Sequence, residues 1–109
     1  MVLSIQDAEI LRTRVRALVT EELIERARAR PAPPYDPDIA EVLDFVRRNP
    51  DPDLPRYVIV RLADGFAIGV RAATRGRPPV IVDPRRYPDR GGAEHAVLEH
   101  RLRDYGIDW

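Results

Sequence analysis

Apolar positions recur at spacings of three and four from Ile5 to about Arg30, and neither glycine nor proline interrupts them. Ala8, Leu11, Val15 and Leu18 fall on one stripe of a helix, and Val19, Leu23 and Ala27 widen its flank. Ser4 followed by Asp7 gives a capping pattern at the start. Arg26, Arg28 and Arg30 suit the negative end of a helix dipole. The pattern predicts one continuous helix of about 26 residues, roughly 39 Å long at the standard rise. Pro31-Ala32-Pro33-Pro34 ends it, because proline removes a donor and disfavours helix in the residue before it.

A second helix starts at Asp36 as N-cap with Pro37 in the first turn, and Ile39, Val42, Leu43 and Val46 form its apolar face. The run Asn49-Pro50-Asp51-Pro52-Asp53-Leu54-Pro55 reads as a stiff connector. Two β-branched stretches follow, Arg56 to Ala63 and Phe66 to Ala73. Asp64-Gly65 between them fits a two-residue type I′ hairpin turn. That turn would set Arg61 opposite Ile68 and Ile59 opposite Val70, with Val60 opposite Gly69 on the other side. Both faces of the hairpin are then largely apolar, so each needs a cover. Val80-Ile81-Val82 predicts a short third strand. Ala93 to about Tyr105 predicts a last helix, with Gly106 just past its end. The order α-α-β-β-β-α describes a single α+β domain over residues 1–109. It places a small three-stranded antiparallel sheet with two N-terminal helices and one C-terminal helix.

The length of the first helix bears on function. A rod of that size exceeds what a sheet of three short strands can cover, so part of its stripe should remain for another chain. Leu11, Val15, Leu18 and Leu23 are the candidate protein-contact residues, for a protein partner or for a second copy in a homodimer.

Composition narrows the alternatives. All 18 basic residues are arginine, balanced by 18 acids to a formal charge of zero. Arginine codons are GC-rich, and the abundance of Ala, Pro, Val and Asp points the same way, so the lack of lysine reads first as genomic composition. The neutral balance argues against a polyanion as the main partner, and nucleic acid is not expected. Without cysteine, disulfides and thiolate sites are impossible, which agrees with a cytoplasmic setting. The opening residues do not read as a signal peptide, and no apolar run is long enough to span a membrane.

Candidate chemistry gathers in the segment 83–92. Arg85, Arg86, Arg90 and Gly92 precede or open the last helix, where free N–H groups favour anions, and Arg75 and Arg77 lie on the neighbouring loop. These residues form an alternative anion-, nucleotide- or nucleic-acid-binding site, although the Walker and dinucleotide spacings are both missing. The same arginines could instead pair with Asp83, Asp89 and Glu94. Asp83, Glu94 and His95 are the acid–base candidates for a third alternative, a small enzyme or enzyme subunit. His95 and His100 point roughly 140° apart on a helix, so no metal and no cofactor are expected. The sequence therefore favours a small intracellular protein-binding domain of regulatory or accessory character.

Overall fold

The computed structural model describes residues 2–109. Its N-terminal helical region is not one rod. Helix α1 (Ile5–Ile10) begins at Ser4, whose Oγ accepts the Asp7 N–H at 3.0 Å. It runs through a π-helical stretch, Leu11–Val15, into α2 (Arg16–Leu18). The chain then leaves helical geometry at Val19, with φ −78° and ψ 103°, and restarts as α3 (Glu21–Ala29). Thr20 caps α3, its Oγ1 accepting the Leu23 N–H at 3.1 Å. Two β-branched residues in a row lower helix propensity, and the threonine hydroxyl offers the backbone a competing bond. Glu21 and Glu22 then sit in the first turn of α3, where the dipole favours acids.

This break corrects the expectation of a 39 Å rod with spare apolar surface. The two helical pieces fold round the chain's own core instead. Leu11, Val15 and Leu23 are 5%, 0% and 1% exposed, and Leu18 packs partly against the same cluster. They are core residues rather than a surface left for a partner. Their neighbours come from α4 (Pro37–Arg47), which supplies Ile39, Val42, Leu43, Phe45 and Val46, and from α5 (Arg90–Asp104), which supplies Leu98 and Leu102.

Arginine fixes the arrangement of the helices at two places. Arg26 of α3 reaches Glu22 at 2.5 Å, Asp36 at 2.7 Å and Asp38 at 2.5 Å, clamping the start of α4. The Arg26 guanidinium beside it holds the Asp38 carboxyl below its usual range. Arg16 donates to the carbonyls of Tyr105 at 3.2 Å and Gly106 at 3.0 Å. It thereby meets orphan acceptors past the end of α5. Gly106, at φ +72°, closes that helix, with its N–H on the Arg103 carbonyl and the Ile107 N–H on the Leu102 carbonyl. Ile107 is thereby returned to the core. Asp51 is 1% exposed and accepts N–H bonds from Val2 and Asp53, both at 2.9 Å. The Asp51 N–H donates to the Tyr105 hydroxyl at 3.2 Å. The connector thus ties both ends of the chain together.

The sheet is antiparallel, in the order β1 (Tyr57–Leu62), β2 (Gly65–Val70), β3 (Val80–Ile81). The hairpin register differs from the expected one: Leu62 faces Gly65, so Ala63-Asp64 form the turn. Ile59 pairs with Ile68 and Arg61 with Phe66. Gly65 has φ +132°, and a Cβ there would stand 2.8 Å from the Tyr87 carbonyl oxygen. Phe66 and Tyr87 exchange two backbone hydrogen bonds at 2.8 Å. The close return of segment 83–88 beside β2 therefore claims the glycine for the strand rather than for the turn.

Helix α5 lies on the sheet face that carries Tyr57, Ile59, Ile68 and Val70. The Tyr57 hydroxyl donates to Asp104 at 2.6 Å and its ring sits 5.3 Å from that of His100. Burial and the Asp104 carboxylate both push the Tyr57 hydroxyl pKa up. The opposite face carries Val58, Val60 and Leu62 of β1, all half-buried, beside the buried Ala67 and Gly69 of β2, with Pro79 close to Gly69.

Because Leu23 fills the chain's own core, Leu23→Ala should destabilise the isolated protein by about 2–5 kcal/mol. Urea unfolding measures this. A loss under about 0.5 kcal/mol, the range of an ordinary surface substitution, would place Leu23 outside the core.

Candidate functional site

The sequence-derived arginines do not converge on one pocket. Arg75 and Arg77 are exposed on the loop before β3. Arg86 pairs with Asp64 at 3.3 Å, and Arg90 pairs with Glu94 at 3.1 Å, one turn on in α5. The Arg85 N–H donates to Asp83 at 2.9 Å. The Gly92 N–H, one of the free donors at the start of α5, already meets the Asp89 carboxylate at 2.7 Å. The helix N-terminus that was to attract an anion thus carries the chain's own N-cap acid. Local pairing has taken up most of the charge in this segment.

Asp83, Glu94 and His95 are likewise kept apart. Glu94 is held by Arg90, on the side of α5 that looks towards α4. Asp83 approaches His100 at 3.4 Å. Its carboxyl is held below the usual range first by the Arg85 backbone N–H, with His100 adding to the effect. His95 is 7% exposed and stands 3.6 Å from Glu99, too far for a hydrogen bond, and its Nε2 has no partner. A shallow cavity of about 290 Å³ brings His95, Glu99, His100 and Asp83 to one wall, with Arg28, Arg85 and Arg103 at its rim. The acid–base pairs are therefore Asp83–His100 and His95–Glu99, not the trio expected from the sequence. Among the described residues, no three His, Asp or Glu side chains stand close enough together to hold a metal ion.

A larger groove of about 330 Å³ opens between α4, α5 and β1. Leu43 and Val46 line it from α4, Tyr57, Val58 and Ile59 from β1, and Val97 and Leu98 from α5. Its polar members are Arg47, Arg90, Glu94 and Arg101. The helix period shows Arg101 one turn beyond Val97, but only the tertiary fold shows what surrounds it. The Arg101 Nε is shielded from solvent without a hydrogen-bond partner. Burial pulls its pKa down, and the like charge of Arg47 pulls in the same direction. Nothing in the local sequence pattern separates Arg101 from the other arginines.

Burial holds His95 below its ordinary pKa, with Glu99 opposing only in part. The unfolded chain then binds a proton at this position before the folded chain does. The contribution of neutral His95 is full above the unfolded value of 6.5 and is lost as pH falls below it. Stability should therefore drop as pH falls below about 6.5, by at most about 1.4 kcal/mol per pH unit from this group. His95→Leu should flatten that slope in urea titrations. An unchanged slope would show that His95 does not titrate differently on folding.

No curated protein matches the chain at a significant level. A family model does match, over residues 1–108, and its description is N,N-dimethylformamidase alpha subunit. The match covers both helical pieces of the N-terminal region, the sheet, the Arg101 groove and α5. It favours the enzyme-subunit alternative over a free-standing binding domain, and the chain belongs to the N,N-dimethylformamidase alpha subunit family.

Proposed function

We propose that this chain is an accessory subunit of an amide-hydrolysing enzyme and acts by docking on a second, different subunit. Membership of an alpha-subunit family supports the existence of such a partner. The observation that carries the docking reading is the unfinished sheet. Val58, Val60 and Leu62 form a half-buried apolar row on β1. At the other edge Ile81, paired with Gly69 on that same face, is 38% exposed, while Val80 and Val82, 61% and 49% exposed, lie on the face that carries Val70 and Ile68. Sheet faces of this kind are covered in stable domains, and contiguous exposed apolar surface marks an interaction site.

The acid–base residues support an accessory rather than a catalytic role. His95 is buried and lacks a hydrogen-bond partner, and Asp83 and His100 meet at the long distance of 3.4 Å beside exposed arginines. Neither pair is joined to a nucleophile. A homodimer built on the first helix loses its basis, since the stripe that was to form it lies in the core. No helix among the described residues is long and apolar enough to cross a membrane.

The test is to purify the chain alone and together with the co-produced second subunit, and to assay formate release from N,N-dimethylformamide. The chain alone should release none, and the pair should hydrolyse the amide. Leu62→Glu should weaken assembly about tenfold or more, the size of a central interface contact, while leaving the isolated chain folded. Hydrolysis by the chain alone at the rate of the pair would contradict the reading. So would a failure of the two chains to associate.

A further inference from the structure

At Arg101, among the described residues, a permanent charge is partly buried without a hydrogen-bond partner on its Nε. The groove's one acid, Glu94, is taken by Arg90 at 3.1 Å, and the largest charge effect on Arg101 comes from another arginine, Arg47. Arg47 itself donates to the Tyr35 hydroxyl at 3.3 Å and stacks over that ring, without a carboxylate. Other helical arginines are treated differently. Arg26 meets three acids, Arg14 meets Glu41, Arg28 meets Glu25 and Glu99, and Arg90 meets Glu94. A guanidinium that is partly desolvated and unpaired costs stability, and a carboxylate from outside would remove that cost.

The shape of the groove says what kind of molecule could bring the carboxylate. One wall is β1, an edge strand of the sheet. The Arg71 N–H donates to the Arg56 carbonyl, so Arg56 turns its main-chain groups towards β2. In an antiparallel ladder alternate residues point to opposite sides, so Tyr57 and Ile59 present their N–H and C=O groups outwards. An outward row of backbone groups is a template for an added strand, and alternate side chains of that strand would reach either side of it. Tyr57, Val58 and Ile59 of that edge line the groove.

We propose that the groove between α4, α5 and the outer edge of β1 takes an extended acidic segment of the second subunit, with a carboxylate of that segment seated on Arg101. The segment pairs its main chain with Tyr57 and Ile59, lays apolar side chains along the groove wall, and supplies a carboxylate to Arg101, since the groove's own Glu94 is paired with Arg90. This rests on the reading of the chain as a docking subunit and names the chemistry of the contact.

The experiment compares wild type, Arg101→Met and Arg101→Lys in two measurements. The first is the melting temperature of the isolated chain. Arg101→Met should raise it, because an unpaired cation is replaced by an apolar side chain of similar length. The second is affinity for the purified second subunit. Arg101→Met should weaken binding about thirtyfold or more, the loss expected when one member of a buried charged pair is removed. Arg101→Lys should fall between the two, since it keeps the charge and loses the planar fork. A Met variant that binds as tightly as wild type would overturn the proposal and leave the subunit reading standing. If no form of the chain binds, the subunit reading itself fails. A third arm adds sodium acetate to the isolated proteins. If acetate stabilises wild type but not Arg101→Met, while both bind the second subunit equally, the groove is a small-anion site and the proposed segment is wrong.

Discussion

Helix α5 is wedged between the two layers of this protein, and the rest of the structure depends on that. It touches α3 and α4 on one side and β1 and β2 on the other. Leu98, Leu102 and Tyr105 enter the helical core, while His100 and Asp104 engage Tyr57 on the sheet. A helix apolar on one stripe only would leave either the bundle or the sheet without a floor. Both ends of α5 are therefore fixed. Asp89 caps the first turn, and Arg16 with Gly106 completes the last. The groove with Arg101 is the seam where the two layers meet, which is why a charged side chain there ends up without a partner.

The N-terminal region answers to the same constraint. A straight helix from Ile5 to Arg30 could pack along one line only. The break at Val19 and Thr20 lets the π-helical stretch and α2 pack on α4 while α3 packs on both α4 and α5. Apolar surface that would otherwise face water is spent inside the monomer. Among the described residues, the large apolar side chains left exposed are Val80, Ile81 and Val82 on the sheet's β3 edge and Val2 and Ile5 near the start of the chain. The proposed partner surface therefore lies on the strands rather than on the helices.

Much of this was legible in the residues. The proline tracts at 31–34 and 50–55 separated the elements correctly, and Pro37 and Gly106 marked a helix start and a helix end. The hairpin slid by two positions against its expected pairing. A slip of two keeps every side chain on its face, so the division into a Tyr57–Ile59 face and a Val58–Val60 face survived. The helix break was signalled by Thr20 followed by Glu21 and Glu22, a start pattern hidden inside an uninterrupted apolar period. Other features had no local signature. Asp51 sits in a connector that reads as solvent-exposed, and its burial depends on Val2 and Tyr105 arriving from the two ends of the chain. Arg101 is one arginine among 18, and only the packing of α4 and β1 beside it makes it unusual. Conversely, the arginines of segment 83–92 look conspicuous in the sequence and are mostly neutralised within a few residues or across the hairpin turn.

The central claim is that the helical stripe is consumed within the chain and that the sheet is the side left open. Residue-resolved hydrogen exchange, on the chain alone and on its complex with the second subunit, tests it most directly. The account predicts that Val97 to Leu102 exchange slowest in the isolated chain, and that the complex adds protection along residues 57–62 while leaving Leu11 to Leu23 unchanged. New protection confined to Leu11–Leu23, with β1 exchanging as before, would contradict it.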